Sequence, residues 1–499
     1  MKYVMGIDLG TSGVKAILVD ENGKVCGETS KPYRLIQDKS GYCEQNPDDW
    51  VEQTIAAMKE LIARQPVHRR QVEGISFSGQ MHGLVLLDES CQVLRPAILW
   101  NDTRTTAQCT RITKMLGERL RTITKNHALE GFTLPKLLWV KEHEPDIDQQ
   151  IDMFLLPKDY VRFRLTGAVH IDYSDAAGTL LLDIGGQMWS EEICQTFDIP
   201  LHICPPLVSS ETEVGTLLPQ VAREVGMRRG VKVFAGGADN ACGAIGAGIL
   251  SPGHTLCSIG TSGVILSYEE DHDRELHGNV HLFHHAKKDA FYTMGVTLSA
   301  GYSLDWIKSL LAPDESFKEL VEEVADVAPG ANGLLFTPYL VGERTPYADS
   351  IIRGSLIGLD SRHERRHVVR AVLEGITFSL NESIVLFRQA GKRIDSIVSI
   401  GGGARSQTWL QMQADIFQAE VIQLENEQGP ALGAAMLAAV GCGWFQSLET
   451  CADQFIHQAT VYKPNQQHVD IYDHLFRLYQ RIYTRTRDIH VELEHYRSS

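Results

Sequence analysis

"MGIDLGTSGVKAILVD", Met5–Asp20, sets a glycine-hinged loop between two apolar runs. Tyr3–Ile7 before it and Ala16–Val19 after it read as β-strands, so the loop is either a tight hairpin turn or a cradle of backbone N–H groups for a phosphate. Its core, Gly10-Thr11-Ser12-Gly13-Val14, returns as Gly260-Thr261-Ser262-Gly263-Val264, again between β-like runs (Thr255–Ile259 and Val264–Tyr268). The offset, 260 − 10 = 250, is half of the 499-residue chain. A chance five-residue match in such a chain has odds of roughly one in ten from average residue frequencies, and the matching flanks lower them. Single hydrophobic cores stop growing beyond about 250–300 residues. The repeat therefore predicts two related halves, residues 1–247 and 248–499, meeting in the Gly/Ala-rich segment Gly243–Gly253.

The two copies differ at one informative place. Two residues before the loop glycine the first half has Asp8, where the second has Ser258. If the loops face each other across one nucleotide, only the first offers a carboxylate that organises Mg²⁺ through water.

Outward from the loops, "VEGISFSG" (Val72–Gly79) reads as a buried strand, and Leu84–Trp100 as a hairpin turning near Asp88-Glu89-Ser90. His367–Phe387 has apolar residues at helical spacing; Ile394–Ile400 is a strand, followed by Gly401-Gly402-Gly403 and a helical run from Gln407. Mixed β and α order throughout predicts an α/β protein. A formal net charge of −16 argues against nucleic acid or an anionic membrane as the main partner. Ten scattered cysteines with no C-x-x-C pair read as free thiols rather than a zinc site or disulfide framework. With no secretory signal and no run of about eighteen apolar residues, a cytoplasmic protein is expected. A homodimer is left open.

Three further stretches carry chemistry. No G-x-x-x-x-G-K-[ST] occurs, and "GGGARS" (Gly401–Ser406) lacks the third glycine of a dinucleotide fingerprint. What it offers is bare backbone after a strand, against a planar ring or a phosphate, or else a tight turn. In "VKVFAGGADNACGAIGAG" (Val231–Gly248) a β run ends at two glycines and Asp239 opens a small-residue helix. There the helix dipole is expected to keep Asp239 ionised, as a base for an attacking hydroxyl or as an N-cap. The small residues around it are expected to pack against a ligand. "SGQMHGLVLL" fences Met81 and His82 with Gly79 and Gly83, which suits a small polar ligand, although a lone histidine is more often structural. "LWNDTRT" (Leu99–Thr105) adds Asp102 and Arg104, for sugar hydroxyls or as a surface ion pair.

Together these stretches, with Pro96–Arg104, "GFTLPKLLW" (131–139), "LLPKDYVRFRLTG" (155–167) and "YLVGERTP" (339–346), resemble the FGGY family of carbohydrate kinases from Tyr3 to about residue 480. The resemblance implies a duplicated actin-like, ribonuclease-H-type fold with a cleft between the halves, ATP bound mainly by the second and sugar by the first. It implies Asp239 as catalytic base, and Met81, His82 and Asn240 as sugar contacts, with "GQMHG" pointing to xylulose as acceptor. It further implies phosphate loops at Gly10-Thr11-Ser12 and Gly260-Thr261-Ser262, and an adenosine turn at Gly402-Gly403-Ala404. The expected partners are ATP, Mg²⁺ and a small sugar. Two rivals stand beside this reading: a kinase of ribulose, glycerol or gluconate, and an ATP-switched binding protein of the same duplicated fold.

Overall fold

The computed structural model describes residues 2–65, 71–276 and 280–497. Two seven-stranded mixed sheets dominate it. In the first, the central strand Tyr3–Leu9 pairs antiparallel with Gly13–Asp20, which pairs with Val25–Pro32. On its other side it pairs parallel with Val72–Gly79, followed by Lys232–Phe234 and Glu213–Thr216, while Gly237–Ala238 extends alongside Val72–Gly79. The second sheet repeats this frame: Gly253–Ile259 lies between Gly263–Glu269 and Ile394–Gly401, flanked by Phe291–Thr297, His281–His284, Glu420–Leu424 and Gln458–Tyr462. The duplicated actin-like arrangement expected from the sequence is thus present.

The repeat extends to an irregularity. Tyr3 faces Val72 but Val4 faces Gly74, a one-residue slip past Glu73. At an offset of 250 residues, Gly253 faces Ile394 but His254 faces Ser396, past Asp395. A bulge at the same place in the strand beside each central strand is hard to obtain except by duplication, because bulges disrupt the ladder and are retained as built features.

Tyr3–Leu9 is a near-continuous apolar run because both of its faces are covered. Part of that cover comes from far along the chain: helix Pro430–Gly441, "PALGAAMLAAVG", packs against Tyr3–Leu9, Val72–Gly79 and helix Asp239–Gly246. The approach is backbone to backbone. A Cβ on Gly6 would lie 2.0 Å from the Ala431 carbonyl oxygen, and one on Gly433 would lie 1.9 Å from that of Cys242. A single hydrophobic cluster accordingly runs from Val4 and Met81 through Ala241 to Tyr292 and Ala435. All ten cysteines are free, and no helix among the described residues is long and apolar enough to cross a membrane.

Candidate active site

The parallel register sets the first-half site. Asp8 is level with Ser78, and Ser78 with Gly237; Leu9, Gly79 and Ala238 form the next row. Asp8 and Asp239 therefore emerge at the carboxyl ends of strands that flank one shared neighbour. Burial raises the pKa of Asp8, and its Oδ1 is buried without a hydrogen-bond partner. The pKa of Asp239 is pushed up to about 7, first by burial and then by the charge of Asp8. The expectation that the helix dipole would lower it is corrected: desolvation and a like charge outweigh a half-charge dipole.

Asp239 is the first residue of helix Asp239–Gly246 and makes no N-cap bond. Its Oδ1 accepts from the backbone N–H of Asn240 (2.7 Å) and from Asn240 Nδ2 (3.1 Å). Oδ2 has no hydrogen-bond partner among the described residues and remains an open acceptor. The small residues around this turn answer to the protein, not to a ligand as expected. Gly236 has φ +78°, and a Cβ there would lie 2.0 Å from Phe77 O; a Cβ on Gly246 would lie 2.5 Å from the Gly429 carbonyl oxygen.

Met81 and His82 join this turn. Asn240 Nδ2 lies 3.6 Å from Met81 Sδ, and Tyr292 OH lies 3.8 Å from the same sulfur. His82 adopts φ +68°, and its Nδ1 is 2.6 Å from the Gly178 carbonyl. Burial, Lys136 and Arg344 lower its pKa to about 3, so the ring is neutral. A carbonyl only accepts, so Nδ1 carries the proton and Nε2 is left as an acceptor. The Phe132 ring lies 4.8 Å from it, tilted by 58°, and that of Phe283 6.1 Å away.

The wall provided by His281, Phe283 and Tyr292 comes from the second half and was not legible in the sequence. The stretch Asp271–Lys288 showed no motif, and residues 277–279 of it lie outside the described residues. Arg344, in "YLVGERTP", was equally hidden; its charge reaches both His82 and His281.

Asp102 and Arg104 require a second correction. Both Asp102 oxygens are filled: Oδ1 accepts from Arg104 N–H and Nε, and Oδ2 from Cys43 N–H and Arg104 Nη2. Arg104 also meets Glu44 at 2.7 Å and lies 3.6 Å over the Tyr42 ring. With side chains 0% and 2% exposed, the pair is a buried brace rather than a sugar contact or a surface ion pair.

Both glycine loops are hairpin turns, closed by Gly10 N–H to Gly13 O and Gly260 N–H to Ser262 O. The first is braced by Tyr33 OH donating to Gly10 O, Gln45 Nε2 to Thr11 O (2.8 Å) and Trp100 Nε1 to Thr11 Oγ1 (2.9 Å); Ser12 stays exposed. The second abuts the start of helix Gly301–Leu311, whose Gly301 and Tyr302 N–H groups donate to Gly260 O and Thr261 O. Beside it opens a cavity of about 980 Å³ bordered by Gly260, Thr261, Tyr302, Gly402, Arg405 and Trp409, among others. Ser262, Gly403 and Ala404, expected at the nucleotide, do not line it. Gly403 is buried because a Cβ there would meet the Ile259 side chain at 2.5 Å. The residues around Asp239 do not border this cavity either: the cavity is lined by second-half residues, whereas the Asp239 cluster draws on both halves through Tyr292 and Phe283.

The model of the FGGY family of carbohydrate kinases, N-terminal domain, matches residues 3–246, and that of its C-terminal domain matches residues 255–442. The chain is 65% identical over 499 residues, the whole of both chains, to a xylulose kinase from Bacillus subtilis. A ligand-bound xylulose kinase from Lactobacillus acidophilus superposes with a TM-score of 0.93 at 27% identity, covering 99% of this chain and 100% of that one. A gluconate kinase from the same organism gives 0.91 at 28%, covering 97% and 98%. The chain belongs to the FGGY family of carbohydrate kinases, and it is a carbohydrate kinase.

Proposed function

We propose that this kinase transfers the γ-phosphoryl group of ATP to the primary hydroxyl of D-xylulose to give D-xylulose 5-phosphate in the cytoplasm. The observation that carries the reading is the meeting of the Met81-His82 loop with the Asp239-Asn240 turn, beside an open carboxylate oxygen. The 65% identity to a protein named xylulose kinase supports xylulose as the acceptor over gluconate, which a neighbour of equal fold uses by name. Residues 1–247 hold the sugar and residues 248–499 mainly the nucleotide, at the cavity beside Gly260-Thr261 and Gly402.

In this reading Asp239 Oδ2 takes the proton of the attacking hydroxyl as its oxygen bonds to the γ-phosphorus. The bond from that phosphorus to the bridging oxygen breaks, and ADP leaves. A group with a pKa about 7 is matched to this task at neutral pH. His82 Nε2 accepts a sugar hydroxyl, and Asn240 Nδ2 donates to another. The orphaned, buried Asp8 Oδ1 fits a hydrated cation. Asp8 would hold Mg²⁺, which would neutralise phosphate charge, and the hairpin backbone at Gly10-Thr11-Ser12 would serve the phosphates. Closure of the halves excludes water as a competing acceptor.

The test is ADP release with a panel of sugars and polyols, with and without Mg²⁺. Rapid turnover of xylulose and only slow hydrolysis without sugar are expected. Faster turnover of ribulose, glycerol or gluconate rejects the acceptor, and no acceleration by any sugar favours the ATP-switched binding protein.

A further inference from the structure

Behind the Asp239 turn lies a group of five ionisable side chains with no solvent access: Lys158, Asp159, Arg162, Asp172 and Asp175. Lys158 Nζ sits 2.6, 2.7 and 2.9 Å from carboxylate oxygens of Asp159, Asp172 and Asp175, and Arg162 Nη1 is 2.8 Å from Asp159. The three carboxylates lie close enough together to hold a metal ion, but the ammonium of Lys158 already pairs with all three. Burying such a cluster is expensive, and apolar replacements are often as stable. Its presence calls for a role other than bulk stability.

The hydrogen bonds that leave the cluster supply one. Asp172 Oδ2 accepts from Ser174 N–H (2.9 Å), Ser174 Oγ and Ser210 Oγ (2.9 Å). Ser174 Oγ in turn accepts from Ala238 N–H at 2.9 Å. Ser210 O accepts from Gly236 N–H at 2.9 Å, and Arg162 Nη1 donates to Ala235 O at 2.6 Å. Three of the four residues that precede Asp239 are thus gripped from the same buried group. Lys158 also crosses the strand end between Asp8 and Asp239, where a Cβ on Gly79 would lie 2.9 Å from Lys158 Cβ.

We propose that the Lys158–Asp172–Ser174 relay is a positioning device for the base: it fixes the Ala235–Ala238 turn so that Asp239 Oδ2 points at the acceptor hydroxyl. This rests on Asp239 being the base, as proposed above. Displacement of a catalytic group by about 1 Å costs up to about 10²-fold in rate. Ser174→Ala deletes the one hydroxyl that links Asp172 to Ala238 and touches no substrate. It should lower kcat about tenfold to a hundredfold, with KM for xylulose and ATP within about twofold of the parent if ground-state binding is untouched.

The deciding measurement is the cycle of Ser174→Ala with Asp239→Asn, all variants being full chains assayed by ADP release. If Ser174 acts through Asp239, adding Ser174→Ala to Asp239→Asn costs nothing further. A normal kcat in Ser174→Ala, or an equal loss in both backgrounds, overturns the proposal while leaving Asp239 as the base. A normal kcat in Asp239→Asn overturns the base and the relay together. Should Ser174→Ala not fold, Ser210→Ala, which removes another donor to Asp172 Oδ2, enters the same cycle with the same criteria.

Discussion

Asp239→Asn should make the protein more stable as it makes it inactive. The carboxyl titrates near pH 7 in the folded chain against a reference of 3.8. That difference of about 3 units, at ~1.36 kcal/mol each, is about 4 kcal/mol. The sign follows from the proton count: between pH 3.8 and 7 the folded state holds a proton that the unfolded state has lost, so stability falls as pH rises through this window. Asparagine keeps the shape and the Oδ1 acceptor for Asn240 but has no charge to desolvate. The variant should match the parent in thermal midpoint near pH 4, gain progressively above it, and be several degrees higher at pH 8. Over the same range kcat should stay reduced by about 10²-fold or more, with xylulose and ATP binding retained. Differential scanning fluorimetry at four pH values, paired with coupled ADP-release kinetics, reads both effects. Equal midpoints at pH 8 would refute the electrostatic account of the turn. A near-normal kcat would refute the base, and a search would then begin with Asp8.

His82→Ala should raise KM for sugar markedly while ATP affinity by calorimetry barely changes; lost ATP binding with intact sugar affinity would overturn the assignment of sugar to the first half. Asp102→Ala leaves the Arg104 guanidinium buried with Glu44 alone and should cost about 3 kcal/mol of stability. A raised sugar KM without destabilisation would restore Asp102 as a sugar contact. Gly433→Ala drives a methyl group into the Cys242 carbonyl and should cost about 3 kcal/mol, seen as a lower thermal midpoint. An unchanged midpoint would show that the two helices separate freely.

What could be read from the sequence was local. The strand Val72–Gly79 and the helix start at Gln407 stand where patterning puts them, because each carries its own periodicity and turn residues. The tight turn of the glycine loops was one of the two readings open for the same reason. The rest depended on partners remote in the chain. Nothing near Gly243 and Gly246 reveals that Pro430–Gly441 packs there, so their smallness was read as room for a ligand. Asp102 and Arg104 appear as polar loop residues until Cys43, Glu44 and Tyr42 close over them. The pKa of Asp239 depends on Asp8, 231 residues earlier, and the wall around Met81 on Tyr292. Ser174 and Ser210, in stretches without a motif, gain meaning only from the turn they hold.

The helix Pro430–Gly441 also determines how the chain can be divided. A gene cut after codon 247 would yield a fragment whose central strands, Tyr3–Leu9 and Val72–Gly79, have one face stripped where that helix lies. The bared surface is apolar and β-rich, the kind that associates with further copies of itself. The complementary fragment would carry a twelve-residue apolar helix that keeps helix Leu448–Phe455 as a neighbour but loses the strands and the helix of the first half on which it packs. Residues 430–441 would have to be supplied in trans, or spliced after residue 247, before the first half could be produced as a soluble unit. The internal duplication is therefore one of architecture and not of self-sufficient parts.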